Sequence, residues 1–219
     1  MNNLIKVYDL DIKTRETLLY SSNMILERSS IYGLSAKNGS GKTTLLRTIS
    51  GLRSEPNGSI IITENGQQLN LIQSKKALFY FETTEWFDTN LSGADYLTFT
   101  NATWNNSKTI IEEMIHFWGM NDYIKLPIKK YSLGMKQKVL LAMYGVSGAD
   151  YWLLDEPTIG LDTTSMKLFE TFILEAKKKG RCILFSSHHN DNVYSICDYL
   201  YEINDRTLIL TTVNKKLGD

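Results

Sequence analysis

One stretch, Ala36-Lys37-Asn38-Gly39-Ser40-Gly41-Lys42-Thr43-Thr44, restricts what this chain can fold into more than any other. It follows Ser30-Ile31-Tyr32-Gly33-Leu34, which reads as a short buried strand, and precedes Leu45-Leu46-Arg47-Thr48-Ile49, which reads as the first turns of a helix. Strand, glycine-rich turn, Lys-Thr and helix together form a loop that grips the phosphates of a nucleoside triphosphate. Glycines let backbone N–H groups converge on phosphate oxygens with no Cβ in the way. The helix N-terminus adds roughly half a positive charge at the same point. In that arrangement Lys42 reaches the β- and γ-phosphates and the Thr43 hydroxyl ligates Mg²⁺. Ala36 stands where the pattern's first glycine is usual, and its small side chain still permits the turn.

The 24 basic and 24 acidic side chains balance, so no global field attracts nucleic acid. Lys177-Lys178-Lys179 is short and reads as a solvated helix end. Cys182 and Cys197 lie in apolar surroundings without C-x-x-C spacing, as expected of buried free thiols in a reducing compartment. No apolar run approaches the roughly 18–20 residues that span a bilayer, and the N-terminus has no signal-peptide stretch. A cytoplasmic chain is expected, with any membrane work done through another polypeptide.

Leu4-Ile5-Lys6-Val7-Tyr8, the segment 18–26, Ser59-Ile60-Ile61-Ile62-Thr63 and Ala77-Leu78-Phe79-Tyr80-Phe81 read as β segments. Glu55-Pro56-Asn57-Gly58 and Asn65-Gly66 read as turns, so a small β lobe is expected around the nucleotide. Between about 84 and 130 helical signals dominate; Ile110, Ile111, Met114, Ile115 and Trp118 share one face, best explained as core packing. Gly119, Asn121 and Asp122 end that helix, and Pro127 lies in a connector. From Tyr151 strands (151–154, 182–185) alternate with helices (163–179, 190–196), and 200–203 and 208–210 close the chain as β segments. Such alternation predicts a mostly parallel α/β sheet with ligands at the strands' carboxyl ends.

Tyr151-Trp152-Leu153-Leu154-Asp155-Glu156 is an apolar strand that ends in two carboxylates. Beside a phosphate loop, Asp155 fits a Mg²⁺ partner and Glu156 a general base for attacking water. Ser132 of Tyr131-Ser132-Leu133-Gly134-Met135-Lys136-Gln137-Lys138 is a good N-cap, with Leu140, Met143 and Val146 inward. The same residues also fit a second phosphate-binding helix terminus. His188, in Ser186-Ser187-His188-His189, emerges after a strand where sheet ligands bind and can sense a γ-phosphate.

In order, AKNGSGKTT, YSLGMKQK, YWLLDEPTIGLD and SSHH resemble the ATP-binding cassette (ABC) ATPase subunits over essentially the whole chain. The resemblance implies an α/β P-loop NTPase with a RecA-like parallel sheet core, a small antiparallel β lobe and a helical subdomain. One domain over 1–219, with the helical subdomain inserted at about 84–130, is expected. Asn38, Gly39, Ser40, Gly41, Lys42, Thr43 and Thr44 match the Walker A loop. Ser132, Gly134 and Gln137 match the signature motif, which binds ATP held by a partner subunit. Asp155 matches the Walker B Mg²⁺ aspartate, Glu156 the catalytic carboxylate, and His188 the switch histidine. Gly160-Leu161-Asp162 matches the D-loop, whose Asp162 communicates across a dimer. The implied protein is an ATPase with ATP and Mg²⁺, paired as a homodimer or with a homologous ATPase. It would drive a separately encoded membrane permease from the inner face of the membrane, with no nucleic-acid partner.

Some positions depart from the pattern. Leu133 stands where glycine is commonest, a form similar to a bacterial exporter subgroup. The expected glutamine before the helical region is replaced within Phe81-Glu82-Thr83, leaving Glu82 or Thr83 for its role. The adenine-stacking aromatic falls near Lys13, with Tyr8 or a partner's residue as possible substitutes. A small drug, lipid or bacteriocin-like peptide is the expected cargo, on the exporter-like signature and the short segment after Leu210. The contrasting readings are a soluble ABC protein acting on nucleic acid or ribosomes, and a regulatory subunit with little turnover. The chain's single cassette, absence of a coiled coil and zero net charge oppose the first. Lys42, Asp155, Glu156 and His188 oppose the second. Trp86, Tyr96, Trp104 and Trp118 mark 84–130 as a surface suited to the permease.

Overall fold

The computed structural model describes residues 3–54, 57–104, 106–107, 109–187 and 192–212. Glu55 and Pro56 of the first expected turn, and His188, lie outside the described residues. Strands β1 (Leu4–Lys13) and β2 (Thr17–Glu27) form an antiparallel pair. Strand β1 carries two apolar pairs out of phase, Ile5 with Val7 and Leu10 with Ile12, all buried. A bulge between Val7 and Leu10, with Asp9 at φ 42°, puts both pairs on one face. Strand β4 (Asn57–Glu64) pairs with the other edge of β1, and β5 (Gln67–Gln68) ends a four-stranded antiparallel sheet. Asn65 and Gly66 both take positive φ in the β4–β5 turn, as a tight hairpin requires.

A second sheet orders its strands β10-β9-β3-β8-β7-β6. Strands β3 (Ile31–Ser35), β6 (Leu78–Tyr80), β7 (Tyr151–Leu154), β8 (Cys182–Ser187) and β9 (Tyr199–Asn204) run parallel, and β10 (Thr207–Thr212) is antiparallel to β9. Both faces of the parallel part are covered, which is why these strands read as apolar runs without polar alternation. Tyr151, Leu153, Cys182 and Leu184 pack toward the antiparallel sheet and α1 (Lys42–Ile49). Trp152, Leu154, Ile183 and Phe185 pack toward the helices on the other side.

Those helices are α3 (Gly93–Trp104), α4 (Thr109–Phe117), α5 (Leu133–Ser147) and α6 (Thr163–Lys178). The α4 face packs on the core as expected, with Trp118 fully buried just beyond it. Of the four aromatics expected at a surface, only Trp86 is exposed; Tyr96 and Trp104 are half-buried. Their bulk goes into ring contacts such as Phe87–Tyr96 and Phe79–Trp104. Phe99, at 71% exposure, is the protruding ring of α3.

Helix α2 (Leu71–Ala77) shortens the strand expected from Ala77 and was not expected. Its signal is a capping box: the Asn70 side chain accepts from Gln73 N while the Gln73 side chain accepts from Asn70 N, each at 3.0 Å. The helix expected over 190–196 is, over its described part, a 3₁₀ turn at Asn192–Ile196. Cys182 and Cys197 are free and buried, and burial pushes both thiols up.

Candidate functional site

The parallel register brings the carboxyl ends of β3, β7 and β8 side by side. The phosphate loop leaves the end of β3 and enters α1 through Gly41, at φ 103°. No side chain caps α1, so its first N–H groups are open to an anionic ligand. Leu18 closes over the turn, 3.2 Å from where a Cβ on Gly41 would lie.

Lys42 is 6% exposed; its Nζ donates to Ala36 O at 3.1 Å and lies 3.9 Å from Glu156 Oε1. The ammonium thus stands between the loop and the acidic pair. Thr43 Oγ1 donates to Asp155 Oδ2 at 2.5 Å across 112 residues of sequence. Glu156 takes φ 46°, a left-handed conformation costing about 1–3 kcal/mol that is typical of functional sites. Leu18, Gly39, Lys42, Thr43, Thr44 and Glu156 are among the walls of a cleft of about 380 Å³ that also includes Asn38 and Gly41. Ser40 turns back on the loop, its Oγ donating to Lys37 O at 2.6 Å.

A larger cleft of about 570 Å³ adjoins, sharing Leu18 and Gly39 and walled by Glu16, Thr17 and the turn 202–206. Among the described residues no aromatic ring lines either cleft. Tyr8 is not among the residues that line either cleft, and its ring has the Lys6 ammonium 4.2 Å from the centroid.

Ser132, Gly134 and Asp162 do not line the cleft of their own chain. Ser132 N-caps α5, its Oγ accepting from Met135 N at 3.2 Å. A Cβ on Gly134 would lie 2.7 Å from Gly160 O, so only glycine fits between α5 and that loop. Leu133 remains 50% exposed and packs against Gly160. Gln137 Nε2 donates to Pro157 O at 2.8 Å, tying α5 to the segment after Glu156. Asp162 N-caps α6 by accepting from Ser165 N at 2.7 Å, and that bond lowers its carboxyl from the usual range.

The departure at 81–83 has a definite geometry. Thr83 caps the 3₁₀ turn Thr84–Trp86, whereas Glu82 forms a bidentate pair with Arg47. Tyr80 OH adds a bond to Glu82 Oε2 at 3.1 Å. Arg47 lies one turn after Thr43 on α1, so the pair ties the phosphate-loop helix to the segment leading into α3. The guanidinium holds the Glu82 carboxyl below the usual range. Arg47→Ala should lower the unfolding free energy by about 1–2 kcal/mol at neutral pH, the half-exposed arginine being partly screened. A depressed carboxyl contributes fully above the unfolded value near about pH 4.3 and loses that contribution as pH falls through its folded value. Urea titrations at pH 7 and pH 4 should therefore show the gap between variant and parent closing on acidification.

A strand–loop–helix with an uncapped N-terminus, a buried lysine and an acidic strand end define a phosphate-loop nucleotide-binding protein. A family model described as ABC transporter matches residues 19–159. The cytochrome c biogenesis ATP-binding export protein CcmA of Reclinomonas americana is 33% identical over 97% of this chain and 96% of its own length. The lantibiotic transport ATP-binding protein SrtF of Streptococcus pyogenes is 30% identical over 96% of this chain and 88% of its own. A solved ATP-binding subunit of an ABC transporter superposes with a TM-score of 0.86 at 24% identity, covering 96% of this chain and 90% of that one. The chain belongs to the ABC transporter family, as one of its ATP-binding subunits, and these are ATPases.

Proposed function

We propose that this chain powers an exporter-type ABC transporter by hydrolysing ATP in a site completed by a second cassette. The observation that carries the reading is the meeting of Thr43, Asp155, Lys42 and Glu156 at the uncapped start of α1. The phosphate chain of ATP would lie over 38–44, with α1's N–H groups and Lys42 facing it. The Thr43 hydroxyl and Asp155 carboxylate, 2.5 Å apart, are hard oxygen donors that fit Mg²⁺. Held there by Thr43 and Asp155, Mg²⁺ would supply positive charge against the phosphates.

Glu156 is the candidate base. Its carboxylate would accept a proton from water as the water oxygen bonds to the γ-phosphorus and the bond to the β-phosphate oxygen breaks, giving ADP and phosphate. Lys42 offsets the charge that spreads onto the phosphoryl oxygens. His188 fits the γ-phosphate contact that the family resemblance implies. Ser132 and Gly134, outside their own cleft, would close over the nucleotide of a second copy of this chain or of a homologous subunit, with Asp162 beside that junction.

The helices between 84 and 130 form the lobe we assign to contact with a membrane permease, and exposed Phe99 and Trp86 support that surface. No described helix is long and apolar enough to cross a membrane, in keeping with a peripheral subunit on the inner face. The export and lantibiotic-transport relatives support the exporter reading, with a small drug, lipid or bacteriocin-like peptide as the cargo we propose. Co-purification of the tagged chain with a membrane protein, and turnover raised several-fold by that protein in lipid vesicles, is the expected result. Stimulation by RNA, DNA or ribosomes instead would overturn it.

A further inference from the structure

Ser186 lies at the carboxyl end of β8 and is fully buried. In the parallel register its neighbour on β3 is Leu34, and the preceding Phe185 pairs with Leu154 of β7. Ser186 therefore stands beside the point where β7 gives way to Asp155 and Glu156. Its Oγ accepts the backbone N–H of Glu156 at 2.9 Å and donates its one proton to Asp155 Oδ1. Asp155 Oδ2 takes the Thr43 hydroxyl.

We propose that Ser186 is a positioning residue that sets both carboxylates of the acidic pair through one hydroxyl. The inference rests on the hydrolytic reading of Asp155 and Glu156. The hydroxyl can accept and donate at once, so N–H, O–H and carboxylate form a directed chain in which each bond polarises the next. Two hydroxyls from two different elements, Thr43 on α1 and Ser186 on β8, fix the plane of the Asp155 carboxylate. That orients the oxygen assigned to Mg²⁺. The second effect is on the backbone: Glu156 holds φ 46°, and its N–H is anchored to β8 through Ser186. Loss of the hydroxyl loosens the carboxylate and lets the left-handed residue relax, displacing the Glu156 side chain from attacking water. Supporting partners of this kind typically carry about 10–100-fold in metal affinity or activity.

The test compares Ser186→Ala with Ser147→Ala in the full chain. Ser147 is an equally buried serine whose Oγ donates to Tyr144 O at 2.8 Å. Expected for Ser186→Ala is a kcat lowered about 10–100-fold, with equilibrium binding of metal-free ATP within about twofold of the parent. Mn²⁺ binding in the presence of a non-hydrolysable ATP analogue, followed by electron paramagnetic resonance, should weaken about tenfold or more. Ser147→Ala should leave kcat and Mn²⁺ binding unchanged. Unchanged kcat and Mn²⁺ binding in Ser186→Ala, or equal losses in both variants, would overturn the positioning role while parental turnover still supports the hydrolytic reading. No hydrolysis by the parent, alone or with its permease, would overturn both.

Discussion

Glu156→Gln should bind ATP as the parent does and hydrolyse it about 10²–10⁴-fold more slowly, the range carried by a positioned general base. The exchange keeps the side chain's shape, puts an NH₂ donor in place of one carboxylate oxygen, and removes the negative charge and with it the ability to take a proton. Glu156 is placed for that role by an unusual backbone. Its φ of 46° turns the chain at the end of β7, so the side chain borders the cleft 3.9 Å from the Lys42 ammonium. Because the left-handed conformation remains in the variant, stability should change little. Rapid-quench turnover with equilibrium ATP binding separates the two effects, and a variant within tenfold of the parent in kcat would remove Glu156 from the role.

Lys42→Ala should act on binding itself. The ammonium is nearly inaccessible and already anchored to Ala36 O, so it presents a preorganised charge to the phosphates. Charge-assisted bonds contribute about 1.5–3 kcal/mol each, so loss of one or two predicts an affinity roughly 10–10⁴-fold weaker, about 100-fold in mid-range. At ATP equal to 100 times the parental Kd, the parent gains about 2.7 kcal/mol and a variant bound 100-fold more weakly gains about 0.4 kcal/mol. For a chain of this size the parental gain is a shift in Tm of roughly 5–11 °C. Differential scanning fluorimetry with and without ATP reads it directly. A full shift in the variant would show that Lys42 does not hold the phosphates.

Legibility in the sequence follows how local each feature is. The phosphate loop is contiguous, with its glycines, lysine and threonine within one turn of chain, and it is readable residue by residue. Asp155 and Glu156 are readable as the end of an apolar strand, although their company with Thr43 depends on strand order. Ser186 is different: its hydroxyl acquires meaning only when parallel pairing lays β8 beside β7. The Arg47–Glu82 pair is likewise 35 residues apart, and a missing glutamine gives no hint that an arginine takes the replacement. Helix α2 carries a readable signal, Asn70 and Gln73 in a capping box, masked by its short length and by neighbouring strand-like residues. The aromatics between 86 and 118 have interface composition, but periodicity cannot tell a ring facing a partner from one facing the core. Burial of Trp118 and exposure of Phe99 separate the two.

What the loop 36–44 holds is one wall of a pocket, and the central claim is that another cassette's Ser132–Gly134 supplies the opposite wall. Sedimentation of Glu156→Gln, which retains bound ATP, tests this most directly. With saturating MgATP the variant should sediment at twice the 25.1 kDa of the chain, and with MgADP at 25.1 kDa. Adding Ser132→Arg to it should return the ATP form to 25.1 kDa. A Glu156→Gln chain that stays at 25.1 kDa in ATP, or a dimer indifferent to Ser132→Arg, would contradict a site closed by a second copy.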